Sequence, residues 1–364
     1  MKSLGLIKKC VCIALFAGML FAAMSCGNSN GGAPASSAPS PTASPSEAPK
    51  APEGNPIVLK AAHVLAADHP YNLGMTKMNE LLKEKTNGQI SLDIFPASQL
   101  GNERELAEGI QLGTVDIALA ASSVIANFDR NFGIFDLPFL FENREHAYKF
   151  LDGDLGKAYL DELFDYKMIG LGYWETGFSK LCNSKRPIST PDQVAGLNIR
   201  TMESAPYMLY FSTLRANPVP MGWGDIYTGL QNGTIDGLTN PITAIYTSHL
   251  NDYAKYLSKD DSHYCPIVMI MSPSAYEKLT PEQQTAIRES EEEARHYERE
   301  CVLLGEEKLY QAFQDEGGTI VELDRSVWMN TPAVEAVYDS IVPEIIPQEI
   351  IDRCRALSTA GKAG

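Results

Sequence analysis

Two heptads constrain this chain more than any other feature: Ile110-Gln111-Leu112-Gly113-Thr114-Val115-Asp116 and Leu230-Gln231-Asn232-Gly233-Thr234-Ile235-Asp236. In each, Gly ends a helix with a left-handed cap, a Thr and a β-branched residue start a strand, and Asp follows. From Gly113 to Gly233 is 120 positions, too long a period for a solenoid. The repeat implies two related α/β lobes, each with its own sheet. Two such lobes facing each other leave a cleft at the C-terminal ends of their strands, where α/β proteins tend to bind ligands.

The rest of the body fits that plan. Ile57–Ala62 reads as a strand, and Tyr71–Lys85 carries Met75, Met78, Leu81 and Leu82 at helical spacing. Asn87-Gly88 closes that helix, and Ile90, Leu92 and Ile94 alternate as a strand ending at Pro96. A helix opened by Gly101-Asn102 leads to a strand over Thr114–Leu119. Strand and helix in alternation predict a parallel sheet with right-handed crossovers. Thr280-Pro281-Glu282 starts one long helix that runs to Glu316, where Gly317-Gly318 stops it. A short strand over Thr319–Leu323 and further helix over Val334–Leu357 complete the body. No apolar stretch after Ile57 approaches the 18 residues of a membrane span.

The N-terminus reads as an address. Lys2, Lys8 and Lys9 precede an apolar run from Cys10 to Ala23, and Ala23-Met24-Ser25-Cys26 follows. A basic head, a short apolar stretch and small residues make a secretory signal over 1–25. Cys26 directly after it resembles the bacterial lipoprotein box, which implies a diacylated thiol at the new N-terminus. Gly27–Pro56 is nearly all Gly, Ser, Ala, Pro, Thr and Asn, and reads as a tether. The expected location is therefore outside the cytoplasmic membrane, anchored by lipid on Cys26.

Charge and chemistry narrow the function. The formal charge is −16, and loss of residues 1–25 with their three Lys takes it to −19. Such a body repels phosphate backbones, which excludes nucleic-acid binding, and an anionic ligand needs a local cation. Cys182, Cys265, Cys301 and Cys354 remain in the mature chain, widely spaced and without C-x-x-C, so no zinc or redox motif is present. A site outside the cytoplasm permits disulfides, and buried free thiols are the preferred reading. No H-E-x-x-H, G-x-S-x-G, P-loop or G-x-G-x-x-G occurs, and Gly156 spoils the calcium-loop start at Asp152-Gly153-Asp154. The expectation is a binding protein without cofactor or metal, not an enzyme.

Five ordered motifs carry a family resemblance: Phe95-Pro96-Ala97-Ser98-Gln99-Leu100-Gly101, Phe135-Asp136-Leu137-Pro138-Phe139-Leu140-Phe141, Asn183-Ser184-Lys185-Arg186-Pro187-Ile188, Gly196-Leu197-Asn198-Ile199-Arg200 and Gly233-Thr234-Ile235-Asp236-Gly237. Over Ile57 to about Leu357 the chain resembles the solute-binding proteins of TRAP transporters, the DctP-like family. The resemblance implies a periplasmic-binding-protein-like α/β fold with two lobes, a ligand cleft between them and a long helix spanning both. Lobe I is expected over 57–180 with 266–310, and lobe II over 181–265 with 311–358. The implied function is capture of a small organic acid anion, as a monomer, for delivery to TRAP permease membrane subunits. A ligand-sensing lipoprotein feeding a signalling system is the alternative from another class.

The resemblance also implies site residues. Arg200 stands where the family places an Arg whose guanidinium forks onto a carboxylate, a geometry that an ammonium cannot reproduce. Asn240 in Gly237-Leu238-Thr239-Asn240-Pro241, Trp223 after Pro220-Met221-Gly222, and His63 after the first strand stand at other ligand positions. Two departures matter. Ser179, with Lys180 beside it, replaces a second Arg, and Ala121 stands where many sialic-acid binders have Glu. Both favour a monocarboxylate, such as a sugar acid or oxo acid, over sialic acid or a C4-dicarboxylate. The dicarboxylate remains the alternative ligand class.

Overall fold

The computed structural model describes residues 55–359, so the signal, Cys26 and the tether up to residue 54 lie outside it. Eleven strands are present among the described residues: β1 (Ile57–Ala62), β2 (Ile90–Phe95), β3 (Ile117–Ala121), β4 (Ile169–Phe178), β5 (Lys180–Asn183), β6 (Asn198–Thr201), β7 (Asn217–Pro220), β8 (Gly237–Asn240), β9 (Tyr256–Ser258), β10 (Tyr264–Met271) and β11 (Thr319–Val321). They form two sheets, ordered β2-β1-β3-β10-β4 and β11-β9-β5-β8-β6-β7.

The two sheets repeat one plan. In the first, β1 runs parallel to β2 and β3, while β10 is antiparallel to β3 and β4. In the second, β6 runs parallel to β7 and β8, while β5 is antiparallel to β8 and β9. The sheets are mixed, which corrects the expected all-parallel order. Each lobe receives an antiparallel strand where the chain passes directly from one sheet to the other, at Ser179 between β4 and β5 and at 259–263 between β9 and β10; a third crossing, from β10 to β11, runs through the long helix. The two direct crossings are tied where Ser179 N donates to His263 O at 2.8 Å.

The heptads do the same work in both lobes. Gly113 and Gly233 take φ of 72° and 71°, the left-handed region that glycine adopts without steric cost. Asp116 Oδ2 accepts from Lys60 N at 2.8 Å, and Asp236 Oδ2 accepts from Asn198 N at 2.8 Å. The backbone N–H of each Asp donates back to the same neighbour, at 3.1 and 2.7 Å. Each Asp thereby joins its own strand to the next parallel one. The third strand starts at Ile117 rather than Thr114, because Thr114 and Val115 still donate to Gly109 O and finish the preceding helix.

One helix, Pro281–Asp315, runs past both sheets. It packs on the helix Pro70–Lys85 and on β4 of the first lobe, and on the helix Ile242–Thr247 and β11 of the second. Its start is a capping box between Thr280 and Gln283. The expected C-terminal helix is two helices, Pro332–Ile341 and Gln348–Thr359, since Pro343 and Pro347 cannot donate to a helical ladder. Of the 311–358 stretch expected with lobe II, β11 joins the second sheet. Pro332–Ile341 lies on the helix Ala205–Thr213, while Gln348–Thr359 packs on Arg144–Leu151 beside the first sheet.

Candidate functional site

The site follows from where strands end. β1, β3, β6 and β8 all point their C-terminal ends at the space between the lobes, and each contributes there. Leu65 follows β1, Ala121 ends β3, Arg200 sits one residue before the end of β6, and Asn240 ends β8. These residues, with Tyr71, Glu103, Thr176, Met202, Trp223, Ala244 and Ile267, enclose a void of about 20 Å³. That is space for about one water, so a larger solute enters only if the lobes part. A larger hollow of about 920 Å³ lies elsewhere, between Phe139–Glu142 and Met329–Tyr338. It lacks Arg200 and the converging strand ends.

Arg200 organises the void. It is 3% exposed. Its Nε and Nη2 donate to Met221 O at 2.9 and 2.7 Å, and Nη1 donates to Asn240 Oδ1 at 3.2 Å. A guanidinium has five N–H donors, so one remains on each terminal nitrogen, the pair suited to a carboxylate. Burial lowers its pKa to about 10, opposed by the charge of Glu103, so it stays cationic at neutral pH. The Trp223 ring centre lies 5.8 Å from its guanidinium carbon, within cation–π range.

Glu103 is one lining group that the sequence did not mark. It opens the helix Glu103–Leu112, and its Oε1 accepts from Ala121 N at 3.0 Å. Burial raises its pKa, and the Ala121 N–H and Arg200 hold it down. Ala121 thus brings a carboxylate to the void through its backbone rather than its side chain. Acidic residues are common in first helical turns for dipole reasons alone, and the neighbouring Glu105 does the capping, with Oε2 2.6 Å from Asn102 N. Nothing local therefore marks Glu103. Tyr71 and Thr176 were missed too; their hydroxyls meet at 2.6 Å.

The other expected residues stand apart. His63 is fully buried behind Tyr71, edge-on at 6.0 Å, with Nε2 at 3.3 Å from Asn72 Oδ1. Burial pulls its pKa down to about 4, so the ring is neutral, and it does not line the void. Ser179 does not line it either. Its hydroxyl faces Cys265 Sγ at 3.1 Å, because a one-residue link between two strands has no freedom to aim elsewhere. Lys180 turns away, with its ammonium on Phe178 O at 2.9 Å and paired with Asp261. All four described cysteines are free thiols.

Residues 61–344 match the family model described as bacterial extracellular solute-binding protein, family 7 (DctP). The 2,3-diketo-L-gulonate-binding periplasmic protein YiaO of Escherichia coli is 33% identical over 71% of this chain and 79% of its own length. The C4-dicarboxylate-binding periplasmic protein DctP of Rhodobacter capsulatus is 31% identical over 80% of this chain and 89% of its own. A crystal structure of a TRAP periplasmic solute-binding protein from Polaromonas, bound to D-erythronate, superposes with a TM-score of 0.79 at 33% identity, covering 82% of this chain and 98% of that one.

Proposed function

Because the chain belongs to the bacterial extracellular solute-binding proteins of family 7, we propose that it captures a hydroxylated monocarboxylate, such as a sugar acid, for a TRAP-type membrane permease. One observation carries the ligand preference. Arg200 is the one cation among the described residues that line the void, and it has two N–H donors left for one carboxylate. A second buried carboxylate would find no fixed partner, since Lys180 pairs with Asp261 and Arg144 with Glu175 and Glu306. An unpaired buried charge costs several kcal/mol. Hydroxyls, in contrast, find Glu103, Thr176, Tyr71 and Asn240 around the same void. The diketogulonate and erythronate relatives support this reading; the C4-dicarboxylate relative is its competitor. The matched relatives are binding proteins, and the role proposed here is binding and delivery without chemistry on the solute.

A thermal-shift panel of D-erythronate, gluconate, glucuronate, 2,3-diketo-L-gulonate, succinate and malate tests the preference. At one hundred times Kd a bound acid stabilises by about 2.7 kcal/mol, a rise of several degrees. The monocarboxylates should give the larger shifts. A shift with succinate alone rejects the monocarboxylate reading, and no shift with any acid rejects the organic-acid reading.

Anchoring is the second part of the proposal, carried by the basic head, the apolar run and the small residues before Cys26. Cys26→Ser should move the protein from the membrane to the soluble fraction on cell fractionation. A variant that stays with the membrane, with no lipid on the wild-type N-terminal peptide by mass spectrometry, overturns it.

A further inference from the structure

Beside the Arg200 void the lobes meet along a seam built on three consecutive residues. Met202, Glu203 and Ser204 follow β6 and lead into the helix Ala205–Thr213 of the second lobe. Each is held by a different side chain of the first lobe. The Ser123 hydroxyl meets Met202 Sδ, Asn127 Nδ2 donates to Glu203 O at 3.2 Å, and Ser204 Oγ donates to Asp136 Oδ2 at 2.6 Å.

Asp136 is the costly member. It ends the turn Arg130–Asp136 and is 2% exposed. The groups facing it are Ser204 and Tyr207 from the helix start, His263 and Cys265 from the β9–β10 crossing and β10, and Arg130 of its own turn across a hollow of about 420 Å³. Among the described residues no ion pair neutralises it. A buried carboxylate held by one hydroxyl is expensive, and the carboxylate-binding chemistry of Arg200 does not require it.

We propose that Asp136 is a positioning residue for solute capture: as the lobes close it grips Ser204 across the seam, holds the segment that carries Arg200 and Met202 against the first lobe, and so links capture to a proton. The inference rests on the reading of the cleft as an organic-acid site that closes. Burial pushes the Asp136 carboxyl up to about 7, against about 3.9 for a free Asp. Opening the seam returns it to water. Between roughly pH 4 and 7 the closed form therefore holds a proton that the open form lacks, and affinity falls as pH rises toward 7, then levels off. His263 stays neutral throughout, since burial takes its pKa down to about 3. Glu103, also raised by burial, is the competing source of a pH effect.

Titration calorimetry from pH 5.5 to 8.5 tests this, with D-erythronate as first probe and otherwise the panel acid of largest thermal shift. Wild type should bind about thirtyfold more weakly at pH 8 than at 5.5. At pH 7 it should take up about half a proton per acid, read from buffers of different ionisation enthalpy. Ser204→Ala should bind more weakly at every pH, and Asp136→Ala more weakly at pH 5.5, where the gripping carboxyl is neutral. Asp136→Asn keeps an acceptor for Ser204, so it should rescue much of the Ala loss while flattening the pH profile. A wild-type slope retained in Asp136→Asn overturns the proposal and assigns the slope to Glu103. If no acid binds wild type, the functional reading fails and this inference fails with it; if an acid binds, a pH-independent affinity refutes the inference alone. With the acid bound, Asp136→Ala should speed amide exchange over residues 202–208 relative to wild type, and unchanged rates refute the grip.

Discussion

Arg200→Ala should weaken capture of the best acid from the panel by roughly 30- to several thousand-fold, the effect of removing one partner of a buried charge pair. The chain carries a formal −16, so an organic anion needs a fixed cation, and Arg200 is buried with two donors uncommitted. Arg200→Lys should lose much of the affinity, because three donors on one nitrogen cannot hold Met221 O, Asn240 Oδ1 and a carboxylate in one plane. The structure adds a stability cost. Truncation leaves Met221 O and Asn240 Oδ1 without their donor, at about 1–3 kcal/mol for each acceptor that water does not reach. The ligand-free Ala form should therefore melt several degrees lower yet stay folded. Calorimetric titration of the three forms with the acid and with its amide separates the two roles. The amide should bind wild type poorly and lose little more in the Ala form. If the acid binds the Ala form within about threefold of wild type, under roughly 1 kcal/mol, Arg200 serves only to tie β6 to the Met221 loop and β8.

Arg144→Met should destabilise the fold by about 3–5 kcal/mol, the range for breaking a buried pair on one side. At about 2–4 °C per kcal/mol, the melting temperature falls by roughly 6–20 °C. Arg144 Nε meets Glu175 Oε1 at 3.1 Å and Nη2 meets Glu306 Oε2 at 2.7 Å. The Glu175 side chain is fully buried, and Tyr264 OH donates to its other oxygen. Glu298, also fully buried, accepts from Glu175 N at 3.3 Å, and burial followed by the charge of Glu175 drives its carboxyl well above the usual range. Without Arg144 this cluster loses the cation that bridges β4 and the long helix. Removing both charges should cost much less, so Arg144→Met with Glu175→Leu should regain stability over Arg144→Met alone in urea titrations. A double variant as unstable as the single one refutes the ion-pair account and leaves packing as the role of Arg144.

The repeated heptad shows what local sequence can reveal. Gly113 and Gly233 are read by conformation and Asp116 and Asp236 by position, and all four act within a few residues of their own strand or one neighbouring strand. The helix Pro281–Asp315 was legible for the same reason, since Thr280, Pro281 and Gly317-Gly318 are boundary signals that need no partner. Strand direction was not. Whether β5 and β10 run parallel or antiparallel depends on where the chain crosses between lobes, and neither strand carries a mark of it.

The sequence by itself determined the two lobes and the long helix, and it singled out Arg200, Asn240 and Trp223 through family spacing; these three line the void. Only the tertiary structure decided that Glu103, Tyr71 and Thr176 join them and that His63 and Ser179 do not line it. It likewise decided that Lys180 is spent on Asp261, and that Asp136, inside a motif read only for family, reaches Ser204 68 positions away. The physical reason is common to all of them. Side-chain type and spacing set what a residue can do within its own element, whereas its charge partner, its burial and the direction it faces are set by elements that arrive from elsewhere in the chain.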